Sequence, residues 1–298
     1  MTTLSLHTSA TLWRELVRLG KPRVVALIVF CAWIGMLLAS EGEIDIRTML
    51  AAVIGIALVA SGAAAANCLF EAERDAHMLR THLRPLPRGT VSLQWAAMYA
   101  LLLTLTGAVL LAVWVNTLTL YLTLGTFIAY AVVYTRWLKP ASPQNIVIGG
   151  AAGAMPPVLG WAAMTGGVSA EAATLFLIIY AWTPPHFWAL ALYRMEDYRK
   201  VGLPMLPVTH GRDFTRLSIW LYSWILAATT LLPLALGFSS VVYLVAMLGL
   251  NGWFLRGAWQ VYQQGSDELA RRLFRISIAY LAYLFMALLL DHYLQRWI

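Results

Sequence analysis

The chain leaves its second long apolar segment through the sequence Asn67-Cys-Leu-Phe-Glu71-Ala-Glu-Arg-Asp75-Ala-His-Met-Leu-Arg80-Thr-His-Leu-Arg84-Pro-Leu-Pro-Arg88-Gly89. Asn67, Glu71 and Asp75 follow one another at four-residue intervals, so they share one face of a helix with about 3.6 residues per turn. Magnesium is usually held by one or two carboxylates together with the phosphate oxygens of a ligand and water. Arginine suits the other phosphate oxygens because its guanidinium group binds them in a bidentate way. The stretch therefore predicts a site for Mg²⁺ and a diphosphate at the edge of a membrane.

The composition indicates an integral membrane protein. Of the 298 residues, 60% are hydrophobic and only 12% are charged, whereas soluble domains carry about 25% charged residues. Nine apolar segments are long enough to cross a bilayer core of about 30 Å, which takes roughly 17 to 25 helical residues. They are residues 23–40, 48–70, 93–114, 118–135, 145–163, 172–192, 217–237, 240–259 and 273–291. We expect one all-α membrane domain over residues 1–298, with nine transmembrane helices around a central cavity that opens to the cytoplasmic side.

The basic residues predict the orientation of these segments. Nineteen of the 21 Lys and Arg residues lie around the start of the first segment, after the second, fourth and sixth segments, or around the connection between the eighth and ninth segments. Since cytoplasmic loops are rich in Lys and Arg, the N-terminus is expected in the cytoplasm and the C-terminus in the periplasm, across a bacterial inner membrane. The formal net charge of +7 then reflects topology and contact with anionic lipid, and requires no nucleic acid. Leu12, Trp13, Leu16 and Leu19 line one side of a short helix that either lies on the cytoplasmic surface or is a polar lead-in.

A second group of polar residues follows the sixth segment. Four segments separate it from the first group, so both loops return to the same side and can close over one cavity. Pro184 and Pro185 are expected to disturb the sixth helix and to free backbone carbonyls. His186 then lies inside a membrane segment, where an ionisable side chain indicates function. A histidine that is bonded to a freed carbonyl, with a purely structural role, is the alternative.

Residues 145–161 are rich in glycine, alanine and proline. Such small residues allow neighbouring helices to pack closely. Where no helix fills the space, they also leave a wall against which a flat or long apolar substrate can lie. Both roles are compatible at different positions, and packing is the primary expectation.

The run from Asn67 to Asp75, with its Arg80-Thr-His-Leu-Arg84-Pro tail, resembles the intramembrane aromatic prenyltransferases that make ubiquinone and menaquinone precursors. Three further stretches resemble one branch of that superfamily, the protohaem IX farnesyltransferases, and the likeness runs from Lys21 onward. These stretches are Tyr134-Thr-Arg-Trp-Leu-Lys139, residues 145–161, and Thr183-Pro-Pro-His-Phe-Trp-Ala-Leu190 with Asp197-Tyr198 and Pro204-Met-Leu-Pro207. The quinone-pathway members usually carry a second Asp-x-x-x-Asp, which this chain lacks. Asp197 is then the best candidate ligand of a second metal, and Glu196 is either part of that site or a solvated charge.

This resemblance implies a magnesium-dependent enzyme that transfers a farnesyl group from farnesyl diphosphate to a vinyl group of protohaem IX (haem B). Water is added in the same reaction, and the product is haem O. The alternative acceptor is a quinone precursor such as 4-hydroxybenzoate. The implied partners are farnesyl diphosphate, haem B, the lipid bilayer, and a haem A synthase or terminal oxidase assembly factors.

The resemblance also implies a role for each candidate site residue. The catalytic and metal-binding residues are Asn67, Glu71, Asp75 and Asp197. The diphosphate-binding residues are Arg80, Arg84, Tyr134, Lys139, Arg194 and Lys200. His186 is assigned to haem, where it binds the iron, contacts a propionate or orients the catalytic loop.

Two other classes of membrane protein fit the sequence less well. A haem-binding electron carrier needs pairs of intramembrane histidines as axial ligands, and only His186 of the six histidines is clearly at membrane depth. A transporter of the broken-helix kind places its charged groups near the bilayer midplane, whereas the charges here gather at one interface.

Overall fold

A computed structural model of the chain describes residues 9–40, 45–79 and 81–295. The described residues form fourteen α-helices and one π-helical stretch, with no strand among them. The α-helices are α1 (Ser9–Leu19), α2 (Pro22–Ala39), α3 (Ile46–Ala76), α4 (Leu93–Trp114), α5 (Thr117–Phe127), α6 (Lys139–Ala141), α7 (Asn145–Ala154), α8 (Pro156–Thr165), α9 (Ala170–Tyr193), α10 (Met195–Lys200), α11 (Leu206–Thr229), α12 (Leu232–Ala235), α13 (Val241–Gln264) and α14 (Asp267–Leu294). The π-helix, Ile128–Leu138, lies between α5 and α6.

The all-α membrane fold expected from the sequence is confirmed. Within the described ranges, nine spans are long and apolar enough to cross a membrane. Three of them join consecutive elements, the other six are single helices, and the short α1 precedes them all. The spans are Pro22–Ala39, Ile46–Ala76, Leu93–Trp114, Thr117–Ala141, Asn145–Thr165, Ala170–Tyr193, Leu206–Ala235, Val241–Gln264 and Asp267–Leu294.

Two boundaries differ from the predicted ones in a way that affects the site. Helix α3 continues past residue 70 to Ala76, so that Asn67, Glu71 and Asp75 all stand on one continuous helix. The second inner loop is shorter than residues 193–216, because α11 already begins at Leu206. Pro207 suits the first turn of this helix, where a missing N–H costs nothing. Gly211 then bends α11 through a backbone conformation with φ of 81° that favours glycine.

The expected disturbance at Pro184 and Pro185 is wrong, because α9 runs through both prolines without a break. This helix is the most enclosed span, with 72% of its apolar window buried, and α7, α11 and α14 pack around it. Close tertiary packing can hold a helix together across prolines that lack the usual hydrogen bonds. The interruption lies instead in the fifth span, between α7 and α8, where Pro156 and Pro157 start a new helix.

The small residues of the fifth span serve mainly in packing, as expected. A Cβ atom at Gly160 would overlap the carbonyl oxygen of Ala32, and one at Gly149 would overlap the ring of Tyr134. Helix α8 therefore approaches α2 backbone to backbone. Gly153 has open space instead, with nothing within 4 Å of the position of a Cβ. Both expected roles of small residues thus have a position that suits them.

Candidate active site

Three polar side chains form a row on the last turns of α3. Asn67, Glu71 and Asp75 are all buried, although the span that carries them is otherwise apolar. The preceding run of alanines, residues 63–66, is buried as well and lets neighbouring elements approach closely. Because the C-terminal end of a helix carries a partial negative charge, two carboxylates there need positive partners. The negative charge of the row therefore has to be compensated by positive side chains from other parts of the fold.

Two cations from other parts of the chain pair with these carboxylates. Arg84 donates a hydrogen bond from Nη1 to Oδ2 of Asp75 at 2.5 Å, and Lys139 donates one from Nζ to Oε1 of Glu71. All four side chains are largely shielded from solvent. Thr81 also donates from its hydroxyl to the backbone carbonyl of Asp75 at 3.1 Å, which fixes the loop that carries Arg84. The sequence predicted these four charged residues in the site, and the structure brings them together.

The charge on Arg84 is strongly favoured. Burial of the guanidinium group acts to lower its pKa, but the attraction of Asp75 and of other nearby groups, Glu71 among them, outweighs burial and raises the pKa above its ordinary value. The side chain is therefore positive at any physiological pH. A ligand that displaces Asp75 from Arg84 meets a permanent cation in a water-poor place, which suits a phosphate group.

Asn67 is held by Lys21, a residue whose charge indicates only topology in the sequence. Lys21 donates from Nζ to Oδ1 of Asn67 at 2.5 Å, and Nδ2 of Asn67 donates to the hydroxyl of Thr135 at 3.0 Å. Among the described residues, Lys21 is the one non-glycine residue with positive φ, at 50°. That backbone conformation costs roughly 1–2 kcal/mol for a residue with a Cβ. In the sequence, Lys21 stands directly before Pro22, where the family resemblance begins. That position is the signal that could have identified Lys21 as a site residue.

The π-helical stretch places Thr135 and Lys139 opposite α3. The two contacts Asn67–Thr135 and Glu71–Lys139 each join residues 68 apart, so the four-residue spacing on α3 is matched on the facing element. Thr135 also donates to the carbonyl of Tyr130 five residues earlier, at 2.8 Å. A π-helix is rare, and it occurs frequently at functional sites because it changes the direction of side chains. This register could not be read from the sequence.

Tyr134 lies in the same π-helical stretch. Its ring stacks on Tyr130, with centroids 6.0 Å apart, and packs against the bare backbone of Gly149. The ring therefore has a defined position between α7 and the element that carries Lys139. Arg80, another of the expected phosphate ligands, lies outside the described residues.

The second polar group, after α9, is much less tightly paired. Asp197 is buried, yet its Oδ2 atom accepts no hydrogen bond from any described residue, and Nη1 of Arg194 stands 3.6 Å away. Nε of Arg194 likewise has no hydrogen-bond partner in the described part of the chain. A cavity of about 230 Å³ lies beside these groups and is also lined by Arg212 and Asp267. Lys200 is exposed at the end of α10.

Glu196 differs sharply from its neighbour Asp197. The Glu196 side chain is 69% exposed and pairs with Arg199 at 2.5 Å, whereas the Asp197 side chain is 8% exposed. Of the two alternatives left open for Glu196, its position fits a solvated surface charge.

The donor set fits magnesium only in combination with a ligand. Among the described residues, no three His, Cys, Asp or Glu side chains come together as a cage for a metal ion. Asp197 makes no ion pair or hydrogen bond with the α3 row. Magnesium keeps several sites for water and substrate phosphate, and it needs only one or two carboxylates from the protein. Glu71 and Asp75 are carboxylates of this kind that are paired with cations, and Asp197 has an oxygen without a hydrogen bond.

His186 lies on α9 and faces α14. Its Nδ1 atom is 2.6 Å from the hydroxyl of Ser277 on α14. Its ring is stacked between Trp182 and Phe274, at centroid distances of 4.2 and 4.5 Å. The partner of this histidine is thus a hydroxyl group and not a carbonyl that proline has freed. No charged residue of the α3 row contacts it.

Comparisons with known proteins agree with this architecture. The UbiA prenyltransferase family matches residues 28–289. A protein of Aromatoleum aromaticum named "Protoheme IX farnesyltransferase" is 59% identical over 293 residues, covering 98% of this chain and 96% of that protein. A protein of Methylibium petroleiphilum with the same name is 58% identical over 293 residues, covering 97% and 94%.

Solved structures of low sequence identity share the fold. A digeranylgeranylglyceryl phosphate synthase has a TM-score of 0.79 at 20% identity, covering 94% of this chain and 98% of its own. A UbiA homolog from Archaeoglobus fulgidus bound to GPP and Mg²⁺ has a TM-score of 0.61 at 17% identity, covering 92% and 99%. With the family match over most of the chain and the full-length relatives, these findings show that the chain is a multi-pass membrane protein that belongs to the UbiA prenyltransferase family.

Proposed function

We propose that this chain transfers the farnesyl group of farnesyl diphosphate to a vinyl group of protohaem IX, with addition of water, to give haem O. The observation that carries the proposal is the 55–59% identity to relatives named protoheme IX farnesyltransferase over nearly the whole of both chains. A quinone precursor such as 4-hydroxybenzoate is a less favoured acceptor, because none of these relatives is named for it. The family supports prenyl transfer in either case.

The cations around the α3 row suit the leaving group. When the allylic C–O bond breaks, its electron pair stays with the diphosphate, and the farnesyl carbon is left as a delocalised cation. Arg84 and Lys139 lie beside the row and stabilise the negative charge that develops on the diphosphate. Lys21, which is bonded to Asn67, attracts the diphosphate equally before and after the bond breaks. We assign Arg80, Tyr134, Arg194 and Lys200 to the same diphosphate on the strength of the family resemblance.

We infer that the enzyme depends on Mg²⁺, with Asn67, Glu71, Asp75 and Asp197 as the residues that would hold it. Bound there, the ion would supply further neutralisation of the departing diphosphate. Asp197 supports this assignment through its buried oxygen without a partner, since a native structure rarely leaves such an atom unsatisfied without a reason. The support from Asn67 is less direct, because its side-chain oxygen accepts a hydrogen bond from Lys21. To bind the metal ion, this oxygen has to give up the bond to Lys21, or Asn67 has to act on the site through Lys21.

The acceptor step needs a water-poor, aromatic environment. The π electrons of the haem vinyl group form the new C–C bond with the farnesyl carbon, and the positive charge moves to the vinyl carbon next to the pyrrole. Water adds to that carbon and then loses a proton. We place haem on the side of Trp182, His186 and Phe274, because these aromatic rings stack together. Among the described residues, the cations that pair with the α3 row make no hydrogen bond or ion pair with them. Exclusion of water until the C–C bond has formed protects the first cation.

The acceptor is tested with purified protein in lipid nanodiscs. Farnesyl diphosphate and Mg²⁺ are supplied with either protohaem or 4-hydroxybenzoate, and the products are identified by mass. We expect a hydroxyethylfarnesyl haem and no prenylated benzoate. A prenylated benzoate with unchanged haem would contradict the proposal. Replacing Mg²⁺ by excess EDTA is expected to abolish turnover, and full activity without the metal would contradict the assignment of magnesium.

We also propose that the chain lies in a bacterial inner membrane, with the N-terminus in the cytoplasm and the C-terminus in the periplasm. The asymmetric distribution of Lys and Arg supports this orientation. A periplasmic reporter fused after Ile298 is expected to be active, and the same reporter in the loop near Arg84 inactive. Activity at both positions would contradict it. A haem A synthase or terminal oxidase assembly factors remain the proposed protein partners, to be tested by co-purification.

A further inference from the structure

We propose that His186 binds the iron of the haem substrate through its Nε2 atom and that Ser277 is the positioning residue that fixes the histidine in the tautomer this requires. The inference rests on the proposed function for its substrate. It goes beyond that proposal by naming the ligating atom, the tautomer and a residue on another helix that controls both.

The tautomer follows from the hydrogen bonds of Ser277. A serine hydroxyl has one hydrogen to donate and two lone pairs to accept with. The Oγ atom of Ser277 donates to the backbone carbonyl of Phe274 at 2.7 Å, so its one hydrogen is already used. The contact of 2.6 Å between the same Oγ and Nδ1 of His186 then requires that the histidine donates. The neutral ring carries its proton on Nδ1, and its lone pair is on Nε2.

The surroundings leave Nε2 as the ring nitrogen without a hydrogen-bond partner. Trp182 covers one face of the imidazole ring and Phe274 covers the other. Nδ1 is occupied by Ser277, and Nε2 makes no hydrogen bond with any described residue. Trp182 is fixed in turn, because its Nε1 donates to the carbonyl of Ser277 at 2.8 Å. Ser277 and Phe274 of α14 thus hold the imidazole ring directly, and α14 also fixes the Trp182 ring that stacks on it. One ring nitrogen, Nε2, is left without a partner among the described residues.

This arrangement is the one that metal-binding histidines share. A histidine that binds a metal almost always donates its other ring N–H to an oxygen acceptor, which sets the tautomer and the direction of the lone pair. Of the three haem roles left open by the sequence, a propionate contact needs an N–H donor at the free edge, whereas the free edge here carries a lone pair. Iron is the group that a lone pair binds.

The test compares two ligands that differ only in the metal. The full chain in lipid nanodiscs is titrated with ferric protohaem and with metal-free protoporphyrin IX. For His186→Ala we expect a loss of protohaem affinity at least as large as the roughly 10- to 100-fold loss typical of removing an outer-shell partner, and unchanged affinity for protoporphyrin IX. Added imidazole is expected to restore the protohaem spectrum. His210→Ala is the control, because His210 is exposed near the start of α11 and stacks on Phe214, and both affinities are expected to stay the same.

The role of Ser277 is tested by measuring protohaem affinity and the absorption and EPR spectra of the bound iron. Ser277→Ala removes the acceptor of Nδ1–H and is expected to lower protohaem affinity about 10-fold and to shift the absorption bands, while Ser277→Thr keeps the hydroxyl and is expected to restore both. Pulsed EPR of unmodified protein with ¹⁵N-labelled histidine reads out the iron–nitrogen coupling directly, so the inference is testable even if His186→Ala does not fold.

Two results would overturn the inference: no histidine nitrogen coupled to the iron in the unmodified protein, or an equal loss of protohaem and protoporphyrin IX binding in His186→Ala. The latter would show that the ring only packs against the porphyrin. Failure of the proposed function is distinguishable, because it leaves farnesylated haem absent from the turnover assay whether or not the iron–nitrogen coupling is present.

Discussion

The two acidic groups of the site differ in how completely the protein satisfies them. On α3, each carboxylate is buried against a cation, Glu71 against Lys139 and Asp75 against Arg84. After α9, Asp197 is equally buried but has an oxygen without a hydrogen bond and an arginine only within 3.6 Å. The carboxylates of the first group are paired within the protein, whereas the second group has a carboxylate oxygen without a partner among the described residues, and we propose that this oxygen binds a ligand.

Because of this difference, substitutions in the two acidic groups should change the stability of the fold in different ways. Removing one member of a buried ion pair leaves the other charge without compensation, which is costly. Removing the charge of a buried carboxylate that has no full partner relieves a cost that the folded protein already bears. The same Asp/Glu-to-amide change should therefore have opposite effects on stability in the two groups, although both changes impair catalysis.

The largest effect is expected for Glu71→Gln. We expect activity to fall about 1000-fold, equivalent to roughly 4 kcal/mol of transition-state stabilisation, together with a loss of about 2 kcal/mol of unfolding free energy because Lys139 is left unpaired. Asp75→Asn should behave alike through Arg84. Turnover and thermal unfolding in the same detergent measure the two effects. The double variant Glu71→Gln/Lys139→Met should recover stability but not activity, and activity within tenfold of normal would remove Glu71 from the catalytic group.

A smaller loss of activity with no loss of stability is expected for Asp197→Asn. Because this carboxylate lacks a complete set of partners, we expect a rate lower by about 100-fold and a melting temperature that is unchanged or higher. The measurement is the same pair of assays. A melting temperature as low as that of Glu71→Gln would show that the two groups do not differ as the contacts indicate.

Two variants of Lys21 separate the effect of its ammonium group from the effect of its unusual backbone conformation. Lys21→Met keeps the side-chain bulk but removes the contact with Asn67, and we expect KM for farnesyl diphosphate to rise about tenfold while kcat changes little. Lys21→Gly should raise KM equally and also relieve the backbone cost of roughly 1–2 kcal/mol at positive φ, which gives a higher melting temperature than Lys21→Met. Unchanged KM in both variants would assign Lys21 to structure alone.

The smallest effect is expected for Glu196→Gln, the matched control for Asp197→Asn. Its exposed pair with Arg199 belongs to a class of surface ion pairs that contribute about 0–1 kcal/mol. We expect activity within about twofold of normal and an unchanged melting temperature. A loss comparable to that of Asp197→Asn would place Glu196 in the site after all.

The sequence predicted the spans and the composition of the site because both depend on local properties. Length and apolar content are enough to identify nine spans, and four-residue spacing is enough to place Asn67, Glu71 and Asp75 on one face. The errors lie where neighbours override a local preference. Pro184 and Pro185 favour a break, but enclosure on several sides holds α9 together, and α11 begins eleven residues before the apolar pattern does.

What the sequence determined by itself is therefore the membrane fold, the acidic row on α3 and the set of cations available to it. Only the tertiary structure decided which cation meets which carboxylate, because Lys139 and Glu71 are 68 residues apart and meet through a π-helical register that has no local signature. The same holds for Lys21 with Asn67 and for Ser277 with His186, which is 91 residues away. Hydrogen bonds of this kind depend on positions within a few tenths of an ångström, and such positions are set by the packing of whole helices and not by the spacing of residues along one of them.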